Sequence, residues 1–168
     1  GKTLSVVIAF VIWAMEYFDK AIFAICGKTV SSAERNIVMP FQTIDNLPYS
    51  VDYRRSDRLM NVTCGKRSNL FYIFGGKDES SYALIQGITL SGVLLDEVAL
   101  MPKSFVDQAL ARTLSVENAK IWFTCNPESP EHWFHTDYIL GDQPGIKRLH
   151  FLMEDNPIMT PEKIKRAE

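Results

Sequence analysis

The sequence has too little cysteine for a disulfide scaffold. Cys26, Cys64 and Cys125 are odd in number and dispersed, each in or at the end of an apolar, strand-like run. That pattern argues against a disulfide framework and for a reducing compartment. A strong charge of either sign is also missing: 18 Lys and Arg stand against 20 Asp and Glu, a net charge of -2. No global nucleic-acid signature follows, but a local basic patch stays open, because a field depends on how charge is distributed as well as on its sum. Arg54, Arg55, Arg58, Lys66 and Arg67 supply the only dense basic segment. No hydrophobic run is long enough to span a bilayer. Leu4–Met15 is almost continuously apolar, yet it is well short of the ~20 residues a membrane helix needs. It does not read as a signal peptide either, since the charged and aromatic stretch EYFDKAIFAIC follows it in place of a small-residue cleavage site. Internal repeats and low-complexity linkers are absent.

What is present is an ordinary globular balance, 46% apolar and 23% charged residues, in a length that suits one domain with a sizeable core. The chain opens on Gly1-Lys2-Thr3 and runs straight into an apolar stretch. These are the last three residues of the phosphate-binding pattern G-x-x-x-x-G-K-[ST], whose first five positions would precede residue 1. The reading is a halved phosphate loop; its rival is three ordinary residues before a hydrophobic helix. A second Gly-Lys-Thr, at residues 27–29, has Ile22 where such a loop needs glycine and follows its strand with no loop residues. It is read as a strand-to-helix turn.

Periodicity predicts a heavily buried helix over 4–18 and a buried strand over 21–26. A helical segment capped by Ser31 or Ser32 follows, kinked or ended by Pro40. Two strands flank a Gly65-Lys66-Arg67 turn and close at Gly75-Gly76. Further on come a short helix over 77–87, a strand over 89–97 with an acidic end, a helix over 102–114 and a strand over 119–127. A helical segment over 130–140, a strand over 146–153 and the start of a helix at Thr160-Pro161 complete the chain. Phe71, Tyr72, Trp122 and Phe123 read as core residues rather than base-stacking platforms. Strands alternating with helices imply an α/β fold with a mostly parallel sheet covered on both faces. Both ends of the chain read as cut. A strand preceding Gly1 is expected to lie centrally in the sheet, so that its loss leaves a gap.

The segment GVLLDEVAL is the most informative. Four residues suited to a central strand deliver Asp96 and Glu97 at its carboxyl end, the edge where parallel sheets bind ligands. Two adjacent carboxylates are costly to bury unless a cation or donors compensate. A nucleotide's magnesium does so: Asp96 would orient the metal, and Glu97 would polarise the water that attacks the γ-phosphate. The plainer reading is that Asp96 begins a loop and Glu97 is a solvated charge. The next strand ends in Thr124 and Asn126, where a polar residue can reach the γ-phosphate and report hydrolysis; Asn126 is otherwise an Asn-Pro turn former. These signals stand in the order that such an ATPase requires.

With those residues placed, the chain resembles the ATPase domain of tailed-phage terminase large subunits, especially the defective-prophage-type (PBSX-like) family of Gram-positive phages. The resemblance is carried by GKTLSVVIAFVIWAM, FAICGKTVSSAERNIV, YIFGGKDESSYALIQGITLSGVLLDEVALMPKSFVDQALARTL and IWFTCNPESPEHWFHTDYI, and covers nearly all 168 residues. It implies a P-loop ATPase fold of the additional-strand, catalytic-glutamate type, missing its first strand and the front of its phosphate loop. It assigns 1–155 to that domain and 156–168 to the start of a linker toward a nuclease domain. Gly1, Lys2 and Thr3 then belong to the phosphate loop, with Lys2 on the β- and γ-phosphates and Thr3 on magnesium. Asp96 resembles the metal-orienting acid, Glu97 the catalytic glutamate, and Thr124-Cys125-Asn126 the coupling motif that links hydrolysis to DNA movement. The resemblance implies ATP and Mg2+ as cofactors. It also implies a homo-oligomeric ring on a portal protein, working with a small terminase subunit on double-stranded DNA in the bacterial host's cytoplasm, with no membrane.

Several departures qualify this. The glycine-rich front of the loop, an adenine-binding segment and any arginine in that loop are missing, as is the nuclease domain. This chain is therefore expected to bind ATP weakly and not to cut DNA. Gln86-Gly87 stands where related motors carry Arg before Gly. Arg112 is a candidate to complete a site across a ring interface, or else a solvated helix charge. Two rival functions are a helicase-like ATPase, whose signature motifs are not in the sequence, and a non-catalytic binding or assembly module. Cys125, His132 and His135 lack a fourth ligand and a standard spacing for zinc.

Overall fold

The computed structural model describes residues 2–126, 129–142 and 144–150. Its first element, α1 (Lys2–Tyr17), forms where a run without Gly or Pro lets the helical ladder continue for four turns. Val7, Phe10, Val11, Ala14 and Met15 form its buried face, while Ile12 stays 40% exposed. The helix ends under two side chains from one strand. Arg67 donates to the carbonyls of Met15 and Glu16, and fully buried Asn69 donates to the Phe18 carbonyl at 2.9 Å while accepting from Ala21 N–H at 3.0 Å. These contacts satisfy carbonyls that a helix end leaves unpaired. Part of the dense basic segment is thus a helix cap.

β1 (Ile22–Gly27) follows. A continuous helical run then passes through α2 (Val30–Ala33), a π-helical turn (Glu34–Val38) and α3 (Met39–Gln42). Pro40 does not end the run. The wider π turn just before it shifts the ladder where proline has no N–H to give. β2 (Ser50–Arg54), β3 (Leu59–Cys64) and β4 (Arg67–Gly75) come next, then α4 (Glu79–Gln86), β5 (Gly92–Leu95), a short 3₁₀ turn (Val98–Leu100), α5 (Lys103–Ala111) and β6 (Lys120–Phe123). A π turn, His135–Ile139, closes the described elements.

The six strands lie in the order β2-β3-β4-β1-β5-β6. β4, β1, β5 and β6 are mutually parallel, and β2 and β3 extend the sheet as an antiparallel meander. Strand alternation divides the core. Phe23 and Ile25 of β1 face the cluster beneath α1 and the α2–α3 run, together with Phe71, Ile73 and Leu94. Ala24 and Cys26 face the opposite cluster, with Val93, Leu95, Phe74 and the α4 and α5 residues Ile85, Phe105 and Val106. Phe10 meets Phe23, Phe71 and Trp122 edge-on at centroid distances of 5.9, 6.1 and 5.9 Å, a favoured aromatic geometry. Gly92 is required at the start of β5, because a Cβ there would sit 2.8 Å from the Trp13 ring.

Two expectations are corrected. Among the described strands no interior gap interrupts the sheet: β1 pairs directly with β4 and with β5, and β5 with β6. Of the two edge strands, β6 is the one beside Lys2. The strand expected over 146–153 is absent from its described part, since 146–150 carry no strand pairing; the helix expected at Thr160-Pro161 lies outside the described residues. β2, whose burial alternates without one fully buried residue, was not among the predicted strands.

Candidate functional site

Parallel strands point their carboxyl ends the same way, so β5 and β6 deliver their terminal residues to one edge. Asp96 and Glu97 leave β5 there, Thr124 and Asn126 leave β6, and α1 begins beside them. Asp96 is 6% exposed. Its N–H donates to the Cys26 carbonyl at 2.8 Å. Its Oδ1 accepts two hydroxyls, Thr3 Oγ1 at 2.9 Å and Thr124 Oγ1 at 2.6 Å. Hydrogen bonds to a charged group contribute about 1.5–3 kcal/mol each, which offsets the cost of burying the carboxylate. Lys2 Nζ donates to Asn126 Oδ1 at 2.9 Å and to the Cys125 carbonyl at 2.7 Å.

Glu97 is exposed and sits in the left-handed region, at φ 52° and ψ 48°. A side chain there costs about 1–2 kcal/mol, so the turn must hold it. Glu97 N–H donates to Thr124 Oγ1 at 2.9 Å. The structure therefore brings Lys2, Thr3, Asp96, Thr124 and Asn126 into direct contact, with Glu97 bonded through its backbone. Gly1 lies outside the described residues. Chemically this is an ammonium, two hydroxyls and an adjacent pair of carboxylates. Thr3 and Asp96 present hard oxygen donors, the set Mg2+ accepts, and Lys2 is a cation able to face a phosphate.

The second Gly-Lys-Thr sits at the same edge, at the end of β1. Thr29 caps α2: its Oγ1 accepts from Ser32 N–H at 3.1 Å, and Ser32 Oγ accepts from Thr29 N–H at 3.0 Å. Val30 N–H donates to Asp78 Oδ2 at 2.8 Å. The helix start is thus occupied by protein groups, as a strand-to-helix turn requires. Asp78 is the residue that the sequence did not flag. Its position just before α4 suggests a cap for that helix, yet its carboxylate turns to α2.

The remaining candidates lie elsewhere. Arg112 Nη1 donates to the Gln86 carbonyl at 2.8 Å, and its own carbonyl accepts from Leu90 N–H. It therefore caps α4 near the start of β5, at the other end of that strand from Asp96. Arg55 pairs with Glu34 at 3.1 Å, Arg54 with Asp57 at 3.5 Å, and Arg58 donates to Ser80. Among the described residues no three His, Cys, Asp or Glu side chains are grouped to hold a metal ion, and no helix is long and apolar enough to cross a membrane.

The family model for the N-terminal part of T4-like-virus-type terminase large subunits matches residues 1–142. The large terminase of a thermophilic bacteriophage superposes with a TM-score of 0.93 at 44% identity, over 99% of this chain and 41% of that one. The same protein solved with ADP gives 0.90 at 41% identity, and with ATP-γ-S 0.88 at 41%, over 99% of this chain and 41% and 40% of those chains. The terminase large subunit of Thermus phage G20c is 32% identical over 91 residues, 54% of this chain and 18% of that protein. The large terminase ATPase domain of Thermus phage P74-26 matches at 21% identity and a TM-score of 0.64, covering 88% of this chain and 63% of that domain, which speaks to the fold alone. This chain thus spans less than half of the first of these terminases, and its match to the G20c one covers about a fifth of that protein. With the matched segment running from Gly1 through both acidic and polar strand ends, the chain belongs to the N-terminal domain family of phage terminase large subunits.

Proposed function

We propose that this chain is the ATPase motor domain of a DNA-packaging terminase, coupling ATP hydrolysis to movement of double-stranded DNA into a procapsid. The observation that carries this reading is the convergence of Lys2, Thr3, Asp96 and Asn126 at one sheet edge. Complexes of the similar thermophilic-phage large terminase with ADP and ATP-γ-S support it. In this reading the Lys2 ammonium binds the β- and γ-phosphates. Thr3 and Asp96 would hold Mg2+, which when bound neutralises developing phosphate charge. Glu97 accepts a proton from the attacking water. Asn126, already bonded to Lys2, senses the γ-phosphate and couples its loss to movement. The domain works as a homo-oligomeric ring on a portal protein, with a small terminase subunit, in the host cytoplasm.

Glu97→Gln in the full-length protein tests it, because the amide keeps the shape and loses the base. Hydrolysis is expected to fall by about 10²- to 10⁴-fold, while ATP-γ-S binding stays within about threefold. Sustained hydrolysis would overturn the assignment, and joint loss of binding and hydrolysis would make Glu97 a structural residue.

A further inference from the structure

Thr124 is 4% exposed, and all of its polar groups are spent on one turn. Its N–H donates to the Leu95 carbonyl and its own carbonyl accepts from Val98 N–H, each at 3.0 Å. Its hydroxyl accepts from Glu97 N–H at 2.9 Å and reaches Asp96 Oδ1 at 2.6 Å. Four hydrogen bonds from one residue therefore bracket the turn that carries both carboxylates.

The direction of this link follows from donor counting. A hydroxyl has one proton, a backbone N–H can only donate, and an ionised carboxylate can only accept. The Thr124 proton therefore points to Asp96, and its lone pair receives Glu97 N–H. The negative charge on Asp96 polarises the hydroxyl and strengthens it as an acceptor for that N–H. Glu97 needs such a hold, because it occupies the left-handed region with a full side chain. If it relaxed to the right-handed region, its Cβ would rotate and carry the carboxylate away. Asn126, by contrast, directs its side chain at Lys2.

We propose that the Thr124 hydroxyl is a positioning group: it ties Asp96 to the backbone of Glu97 and holds Glu97 in the left-handed conformation from which its carboxylate acts. This rests on the reading of Glu97 as the base. Thr124 is then not a group that meets the nucleotide. It makes the geometry of one acid depend on the other.

The test uses the full-length protein and single-turnover hydrolysis. Thr124→Val deletes donor and acceptor together at nearly constant volume. Its rate should fall by about 10- to 100-fold, the scale of a small misplacement of a reacting group, with ATP-γ-S affinity within about threefold. Thr124→Ser should stay within about threefold of the parent. Amide exchange at Glu97 should quicken about tenfold or more in the valine variant and not in the serine variant. In the Glu97→Gln background, Thr124→Val should cost no more than about twofold further, because two residues acting through one group are not additive. Should the valine variant fail to fold, Thr124→Ala removes the same hydroxyl without placing a methyl against Asp96. A normal rate in the valine or alanine variant, no rescue by serine, unchanged exchange at Glu97, or a full additive loss overturns the proposal. Preserved hydrolysis in Glu97→Gln alone would instead fault the assignment of Glu97, so the two failures are distinct.

Discussion

The chain writes Gly-Lys-Thr twice, and the two copies meet different fates. Lys2 and Thr3 open α1, Gly27-Lys28-Thr29 stands just before α2, and both lie at the same edge of the sheet. At the first copy Lys2 reaches Asn126 and Thr3 reaches Asp96, across 124 and 93 residues of sequence. At the second, Thr29 bonds within its own turn, and Asp78 fills the start of α2. Lys28 is exposed. A cavity of about 310 Å³ does open beside the second copy, but it is lined by Glu34 and Asp78 as well as Arg55 and Arg58. What separates the copies is not the tripeptide but what its donors are spent on. Helix-start N–H groups that already hold a carboxylate have little left for a phosphate. A threonine bonded to a distant acid, by contrast, sits where a cation and an anion can meet.

The sharpest break of this comparison is at the lysines. In the full-length protein, Lys2→Ala should weaken ATP binding by about 10²- to 10⁴-fold. That is two charge-assisted hydrogen bonds of about 1.5–3 kcal/mol each, at tenfold per 1.4 kcal/mol. Lys28→Ala should stay within about twofold. Calorimetric titration of both variants decides it, and equal losses would erase the distinction between the copies.

Much of this arrangement was legible, for identifiable reasons. An apolar run ending abruptly in Asp96-Glu97 marks a strand end whichever way the rest folds, and the order of the signals along the chain implied their meeting. The meeting itself, Thr3 on Asp96 and Lys2 on Asn126, is tertiary and has no local signature. β2 escaped because only Val51 and Tyr53 alternate with its charges. Its pairing with β3 and the bond from Tyr53 to the Glu34 carboxylate come from elsewhere in the chain. The expected gap failed because β1 pairs with β5 and β5 with β6, which leaves no interior place open among the described strands. The π turns at 34–38 and 135–139 leave no compositional mark that separates them from α-helix.

The next effect is smaller and concerns stability. Asp78 Oδ2 is packed against the backbone where α2 meets β4. A Cβ on Gly75 would lie 2.0 Å from it and 2.5 Å from Val30 N. Asp78→Ala removes the acceptor and leaves the Val30 N–H without its partner in a crowded place, at a cost of about 1–3 kcal/mol. Urea unfolding should show that loss as a lower midpoint with an unchanged slope. ATP affinity of the folded protein should not move. If affinity fell along with stability, the second copy would be part of the nucleotide site after all.

The smallest effect comes from the threonines, and it separates the copies by kind rather than by size. Thr29→Ala removes the acceptor for Ser32 N–H and breaks one half of a reciprocal cap, whose other half is the Thr29 N–H donating to Ser32 Oγ at 3.0 Å. Caps of this type contribute about 1 kcal/mol. The loss stays local, because Ala33, Ile37, Val38 and Phe41 keep the run seated in the core. Thr29→Ser should recover nearly all of it. Thr3→Ala reaches the site as well as the fold. Residue 3 is half-buried in the first turn of α1, and its loss takes from the buried Asp96 Oδ1 one of its two hydroxyl donors, a bond of about 1.5–3 kcal/mol. Hydrolysis by the full-length protein should then fall by about tenfold or more, the value of one hydrogen bond to a charged group. Paired thermal melts and hydrolysis rates check both halves. A Thr3→Ala protein that melts lower yet hydrolyses normally would make Thr3 a cap like Thr29.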